Sequence, residues 1–246
     1  MAKDKVIGKG LYFSASSLSI FKNCKRCGWM QFKKGIKQPR GIFPSLPGGM
    51  DNVLKTYYDK HRSTGNLPPE LEGKIKGTLF PDQMILNVWR NWRTGMKYQG
   101  EGYVLGGALD DLLIEPSNKT IKADNIKEQI VTILDYKTRG YPPKTHEDSE
   151  RYYGLQLDIY DLFLKTAGYK TSGKGHLIYY HPDSIDIGGI VNFTCTPVTL
   201  DTDPERAIEF ANMARDIIEQ ETPPEPTVGC DYCEYIKANG MLTAGL

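Results

Sequence analysis

The chain lacks long apolar runs, a strong net charge of either sign and internal repeats. Among its 246 residues, no stretch approaches the ~18 apolar residues that a membrane helix needs. Its basic N-terminus, MAKDKVIGKG, has no apolar signal core. The net charge is only +1, whereas a protein that coats nucleic acid non-specifically often carries a large positive excess. We therefore expect a cytoplasmic globular protein, in which any nucleic-acid contact is a local basic groove.

The order of apolar patterns predicts an α/β fold. Helical periodicity and capping residues indicate helices over 14–33, 50–65, 150–169 and 203–220. Residues 83–95 fit a helix or a strand, and a helix is favoured. The 150–169 helix is assigned Ser149 as its N-cap. β-branched and apolar runs predict strands over 102–116 and 130–138 and two more between 175 and 200. We expect a single domain, 1–246, made of a helical N-terminal part (14–98), a core (99–200) and a C-terminal helix with a cysteine-bearing tail (201–246).

Two acidic side chains stand near the ends of apolar strands, Asp110 in GGALDDLL and Asp135 in ILDYKT. If the strands are neighbours, the two carboxylates meet, and close carboxylates need a cation, for which oxygen ligands favour Mg²⁺ or Mn²⁺. Residues i and i+2 of a strand share a face, so Lys137 lies beside Asp135. Tyr136 turns away and can offer its backbone carbonyl to the ion. Taken alone, an Asp-x-Lys at a strand end is more often a surface ion pair, and only the joint pattern favours a metal site.

Three motifs in order carry a family resemblance: Gly107-Ala108-Leu109-Asp110, then Asp135-Tyr136-Lys137, then Gln156 to Tyr160. This series resembles the RecB-type branch of the PD-(D/E)xK nucleases, which runs GxxD, DxK, QxxxY. The resemblance implies a restriction-endonuclease-like core, a mixed β-sheet flanked by helices. It also implies that Asp110 and Asp135 bind the metal and that Lys137 is catalytic. Gln156 and Tyr160 would face the DNA or position the attacking water.

One position departs from that branch. Its members usually carry a metal-binding histidine on an early helix, and the residue here that aligns best is Asp51. A carboxylate can also bind Mg²⁺, so Asp51 is a candidate metal ligand. The alternative is that Asp51 caps the helix that follows it.

Four of the five cysteines form two C-x2-C pairs, Cys24/Cys27 and Cys230/Cys233. In a reducing compartment such pairs indicate a metal or cluster site rather than disulfides, although thiols placed by chance are the alternative. The CRISPR-associated adaptation nucleases and AddB-type nuclease domains of the same branch carry a [4Fe-4S] cluster, with one cysteine before the core and three after it. The resemblance thus implies a [4Fe-4S] cluster, while the two-plus-two arrangement is also common for Zn²⁺.

These features together predict a Mg²⁺- or Mn²⁺-dependent DNA nuclease. By resemblance it acts as an exonuclease on single-stranded or unwound DNA. The chain has no GxxxxGK[ST] motif, so a helicase partner would do any unwinding. The first alternative is a non-catalytic nucleic-acid-binding or assembly module of the same fold. The second, which rests on the cysteines alone, is a redox or cluster-carrier protein. The basic segment 22–40, with Trp29 and Phe32, is either a strand-binding wall or a solvated helix with core aromatics.

Overall fold

The computed structural model describes residues 10–39, 41, 45–116 and 123–243. In chain order the described helices and strands are β1 (Leu11–Phe13), α1 (Ala15–Asn23), α2 (Lys25–Lys34), α3 (Ser45–Thr64), β2 (Thr78–Leu79), α4 (Gln83–Arg90), β3 (Met96–Gln99), β4 (Tyr103–Gly107), β5 (Asp111–Ile114), β6 (Ile130–Thr138), α5 (His146–Thr166), β7 (Lys170–Ile185), β8 (Val191–Asp201), α6 (Pro204–Glu219) and α7 (Asp231–Thr243). Short 3-10 turns cover Pro69–Leu71 and Ala123–Glu128. None of these helices is long and apolar enough to cross a membrane.

The chain folds as two compact units. The first comprises Met1–Phe43, Gln99–Gly106 and Ile208–Leu246, and the second comprises Pro44–Tyr98 and Gly107–Ala207. Each unit is therefore built from segments that are distant in sequence. The single-domain organisation expected from the sequence stays a prediction.

The second unit contains a mixed sheet with the strand order β2-β5-β6-β7-β8. Strands β6 and β7 are parallel, and their connection contains α5, because parallel neighbours need a crossover segment. The other neighbours in this sheet are antiparallel. Helix α3 packs against β6, and α5 packs against β6, β7 and β8. The predicted restriction-endonuclease-like class, a mixed sheet flanked by helices, is confirmed.

Alternation at the end of β6 puts two charged residues on one face and two apolar residues on the other. Leu134 and Tyr136 join a buried cluster that includes Tyr58 of α3, and the Tyr58 and Tyr136 ring centroids lie 4.4 Å apart. Asp135 and Lys137 point to the opposite face, where Gln156 of α5 contacts both side chains. The period of two in an extended strand thus places the charged pair under α5.

The first unit begins with β1, which pairs in parallel with β4. Ser14 and Ser17 form a capping box at the start of α1, as the serine-rich sequence predicts. Phe32 packs against Phe13, with ring centroids 5.2 Å apart. Trp29 is buried and donates its indole N–H to the Gln220 carbonyl at 3.0 Å. Trp29 therefore belongs to the core and half-buried Phe32 packs against it at Phe13, which favours the alternative of a solvated helix with packed aromatics for the basic segment.

Several predicted boundaries are also wrong. The helix expected over 14–33 is broken at Cys24, which ends α1 and precedes α2. The segment expected as one strand over 102–116 divides into β4 and β5. Helix α3 begins at Ser45, five residues before the predicted start at residue 50, in a stretch rich in proline and glycine.

The N-cap of α5 is Thr145 rather than Ser149. The Thr145 side chain accepts a hydrogen bond from the amide of Asp148 at 3.0 Å, and the first turn carries acidic residues, which the helix dipole favours. Ser149 is buried one turn later and contacts the Tyr179 hydroxyl at 3.0 Å.

Candidate active site

Two neighbouring strands bring the GxxD and DxK residues together. Asp111, the first residue of β5, lies opposite Leu134 of β6. Asp110 directly precedes β5 and therefore lies close to Asp135 and Tyr136. The Tyr136 amide donates a hydrogen bond to Asp110 Oδ2 at 3.1 Å. The Asp110 and Asp135 carboxylates are close enough to interact directly. The two predicted metal-binding acids are therefore adjacent in the structure.

Asp135 is the most buried group of this cluster, with a relative exposure of 1%. Burial raises the pKa of its carboxyl group, the Lys137 ammonium opposes that rise, and the Asp110 carboxylate adds to it. Its Oδ2 contacts Lys137 but accepts no hydrogen bond of good geometry within the described part of the chain. A buried carboxylate oxygen in this state favours a further cation.

Lys137 is held from three sides. Its ammonium contacts Asp135, donates to Gln156 Oε1 at 3.1 Å and lies 4.4 Å from the Tyr153 ring centroid. Burial lowers the pKa of Lys137, but the charges of Asp135 and Asp110 outweigh burial and raise it. Lys137 is therefore held as an ammonium ion and cannot serve as a free base at neutral pH.

Tyr160 acts on the site through the backbone. It is 5% exposed, and its hydroxyl accepts a hydrogen bond from Gln156 Nε2 at 2.7 Å and donates to the Ala108 carbonyl at 2.6 Å. A Cβ at Gly107 would lie 3.3 Å from the Tyr160 ring, so the glycine of GxxD lets α5 approach. Tyr160 is too buried to face a DNA strand. It instead anchors the turn that leads to Asp110.

Asp51 does not cap α3, because it lies more than one turn inside that helix. Its carboxylate accepts from Lys55 at 2.7 Å, and Lys55 Nζ also lies 2.9 Å from Asp110 Oδ1. Burial by itself would lower the pKa of Lys55, but the interactions with Asp110 and Asp51 are stronger, so the pKa is raised. Lys55 was missed by sequence reasoning, although it lies four residues after Asp51 on the same helical face. We call Asp51, Lys55, Asp110, Asp135 and Lys137 the carboxylate site.

A second set of charges, also missed, begins at the next residue. Asp111 is fully buried and pairs with Arg62 and Arg90 at 2.5 and 2.9 Å. Its Oδ2 also accepts the Tyr136 hydroxyl at 2.5 Å, and Asp59 binds the outer side of both arginines. We call Asp59, Arg62, Arg90 and Asp111 the arginine network. Its acids are already neutralised, so they are not metal-ligand candidates.

The oxygen donors of the carboxylate site fit a hard divalent cation. Asp110 and Asp135 supply adjacent carboxylates, and Asp51 can join them if Lys55 moves away. The Tyr136 amide points toward Asp110. In an extended strand the carbonyl of a residue points to the same edge as its amide, which keeps the Tyr136 carbonyl a candidate ligand. This donor set has the chemistry that Mg²⁺ and Mn²⁺ prefer.

The four paired cysteines meet in the first unit. Cys24 and Cys27 are buried, Cys230 and Cys233 are half-buried, and none forms a disulfide. Burial opposes ionisation of Cys24, but hydrogen bonding with the Thr227 backbone helps to lower its pKa to about 6. The four sulfur atoms all lie within 4.8 Å of one another and could hold a metal ion. The expected four-cysteine group is therefore present.

A match to a protein-family model supports the nuclease resemblance. Residues 120–238 match the PD-(D/E)XK nuclease superfamily, a segment that includes Asp135, Lys137, Gln156 and Tyr160. This match suggests a nuclease. A solved structure titled "Crystal structure of SSO0001" is similar at 14% identity and a TM-score of 0.43, covering 96% of this chain and 87% of that one. No curated protein matches the chain.

Proposed function

We propose that the chain is a metal-dependent deoxyribonuclease of the RecB-type branch that hydrolyses phosphodiester bonds as an exonuclease. The main supporting observation is that Asp110, Asp135 and Lys137 lie together next to Gln156. The Gln156 side chain forms hydrogen bonds of 3.1 Å with Lys137 and 3.3 Å with Asp135, and Asp135 interacts with Asp110. The arrangement pairs two ligand carboxylates with one ammonium group. Metal-assisted hydrolysis of a phosphodiester uses these components.

Each residue has a defined task in this proposal. Asp110 and Asp135 hold Mg²⁺ or Mn²⁺, with the Tyr136 carbonyl and a released Asp51 as further ligands. Lys137 stabilises negative charge that develops on the scissile phosphate, and its raised pKa keeps it charged for this purpose. Gln156 positions Lys137 and Asp135, and Tyr160 positions Asp110 through the Ala108 carbonyl.

The bound ion would lower the pKa of a water molecule and so supply the nucleophile near neutral pH. Lys55 must release Asp110 for the carboxylate to become a full ligand. Because the ammonium group of a lysine sits on a flexible stem, that release needs only a side-chain rotation. A divalent ion held by Asp110 would replace the Lys55 ammonium as the compensating charge.

Aromatic and basic side chains near Lys137 support single-stranded or unwound DNA as the substrate. Arg139, two residues after Lys137, lies 4.7 Å from the Tyr141 ring centroid. Tyr141 and Tyr152 are 53% and 62% exposed. Exposed rings offer stacking surfaces for unpaired bases, and arginine contacts phosphates. A separate helicase partner would supply unwound DNA.

Cleavage of labelled single- and double-stranded DNA with Mn²⁺ or Mg²⁺ tests the proposal. We expect Lys137→Met to reduce the cleavage rate about 100-fold or more, because it removes a charge-stabilising donor. Lys174→Met is the matched control, since Lys174 is 55% exposed and pairs with surface Asp201. It should cleave like the wild type. Equal rates for Lys137→Met and the control would refute the nuclease assignment.

The contact of Lys55 with Asp110 favours a second candidate, a module of the same fold that binds nucleic acid without cleaving it. In that case Lys55 stays in place and no metal enters. The same wild-type protein would then retain labelled single-stranded DNA in a gel-shift assay, without producing fragments at any Mn²⁺ concentration. Metal-dependent fragments that disappear in Lys137→Met exclude this candidate.

A further inference from the structure

The four cysteine sulfur atoms are spaced as ligands of a single ion. The Sγ atoms of Cys24 and Cys233 lie 3.8 Å apart, those of Cys27 and Cys230 lie 3.7 Å apart, and those of Cys27 and Cys233 lie 3.6 Å apart. A tetrahedral Zn²⁺ site with bonds of about 2.3 Å places its sulfur ligands about 3.8 Å from one another. These three distances agree with that value, and every other pair of the four sulfur atoms lies within 4.8 Å.

An iron–sulfur cubane does not fit the same four sulfur atoms. In a [4Fe-4S] cluster each thiolate binds a different iron atom, so four irons and four sulfides lie between the cysteines. Here the most distant pair of sulfur atoms is within 4.8 Å. The enclosed space holds one ion but not an eight-atom core. The cluster implied by the family resemblance therefore disagrees with this geometry.

The local backbone explains how the four thiolates are brought to one point. Cys24 is the N-cap of α2, and Cys27 lies in its first turn. Cys230 directly precedes α7, and the Glu234 amide donates to its carbonyl at 3.0 Å, so Cys233 takes the same position in that helix. A helix N-terminus favours negative charge and thiolate ions in particular. The two helix N-termini thus stabilise the charge of a four-thiolate site.

We propose that Cys24, Cys27, Cys230 and Cys233 bind one Zn²⁺ ion in a closed tetrahedral site rather than an iron–sulfur cluster. Four protein ligands leave no open position, so the ion is structural. It joins the starts of α2 and α7 and stabilises the first unit, because metal binding free energy adds to folding free energy. The proposal is independent of the nuclease assignment, since none of these cysteines belongs to the carboxylate site.

Metal analysis of the full chain, purified without oxygen from cells supplied with both iron and zinc, tests the proposal. We expect about one zinc per chain and no absorption band at about 400 nm. Anaerobic purification matters because it preserves a cluster if one forms. About four irons with sulfide and that absorption band would overturn the assignment. One iron without sulfide, or a chain without metal, would overturn it equally.

A pair of variants separates the site from general effects of cysteine replacement. Cys233→Ser should lose most of the zinc and lower the unfolding temperature. Cys195→Ser, which changes the buried thiol of β8, should keep about one zinc per chain. If Cys233→Ser does not fold, stepwise zinc removal from the wild type by a chelator gives the same information. A melting temperature unchanged by complete zinc removal would contradict the structural role.

Discussion

Asp110 and Asp111 are adjacent in sequence but belong to two regions with different electrostatics. In the carboxylate site, Asp110 is 15% exposed and is paired with lysine at 2.9 Å. In the arginine network, Asp111 is fully buried and is paired with two arginines. A guanidinium group is permanently charged and makes several fixed hydrogen bonds, whereas a lysine ammonium is mobile. Under the proposed function, the partner of a carboxylate, rather than its burial alone, decides whether a metal ion can bind it.

The largest expected effect is on stability, in the arginine network. Asp111→Asn should destabilise the protein by about 3 kcal/mol or more, because Arg62 and Arg90 are left buried without their main counter-charge. Urea unfolding measures this loss. Asp201→Asn is the control, since its side chain is 86% exposed and its change should stay within about 0.5 kcal/mol. A loss of less than about 1 kcal/mol in Asp111→Asn would show that the network is not structural.

The second effect is on catalysis, in the carboxylate site. Asp110→Asn should lower the cleavage rate about 100-fold or more. Its free energy of unfolding should change by about 1 kcal/mol or less, because the Lys55–Asp110 pair is partly exposed and Lys55 still pairs with Asp51. Initial rates at saturating Mn²⁺ and urea unfolding of the same preparation give both values. If Asp110→Asn instead lost stability as Asp111→Asn does, the two acids would not differ in role.

The smallest effect tests the mobility of Lys55. Lys55→Met keeps most of the apolar stem and removes the competing charge, so Mn²⁺ should bind about tenfold more tightly. Lys55→Arg should bind Mn²⁺ more weakly than the wild type, because arginine would hold Asp110 as it holds Asp111. Titration calorimetry measures the Mn²⁺ affinity of both variants, and Asp110→Asn, which lacks a ligand carboxylate, serves as the weak-binding reference. Unchanged affinity in both variants would mean that Lys55 does not compete with the metal.

Local sequence signals predicted the elements that depend on neighbouring residues. Strand β6 occupies the predicted range, Ile130–Thr138, because its apolar run is unambiguous. Helix α6, Pro204–Glu219, differs by one residue at each end from its prediction. The start of α3 was missed because prolines and glycines suggested a loop. The N-cap of α5 was misassigned because a serine and a threonine were both available, and Ser149 is instead used by Tyr179.

The sequence by itself determined the residue types, their order and their alternation along β6. Those features place Asp135 beside Lys137 and pair the cysteines at C-x2-C spacing. Only the tertiary structure decided that Lys55 occupies one side of Asp110, that Tyr160 works through a backbone carbonyl, and that four sulfur atoms lie within 4.8 Å. The physical reason is that these arrangements depend on distances between segments far apart in the chain. The spacing of a motif determines which side chains share a face of one helix or strand. It does not determine which side chain of another helix or strand contacts that face.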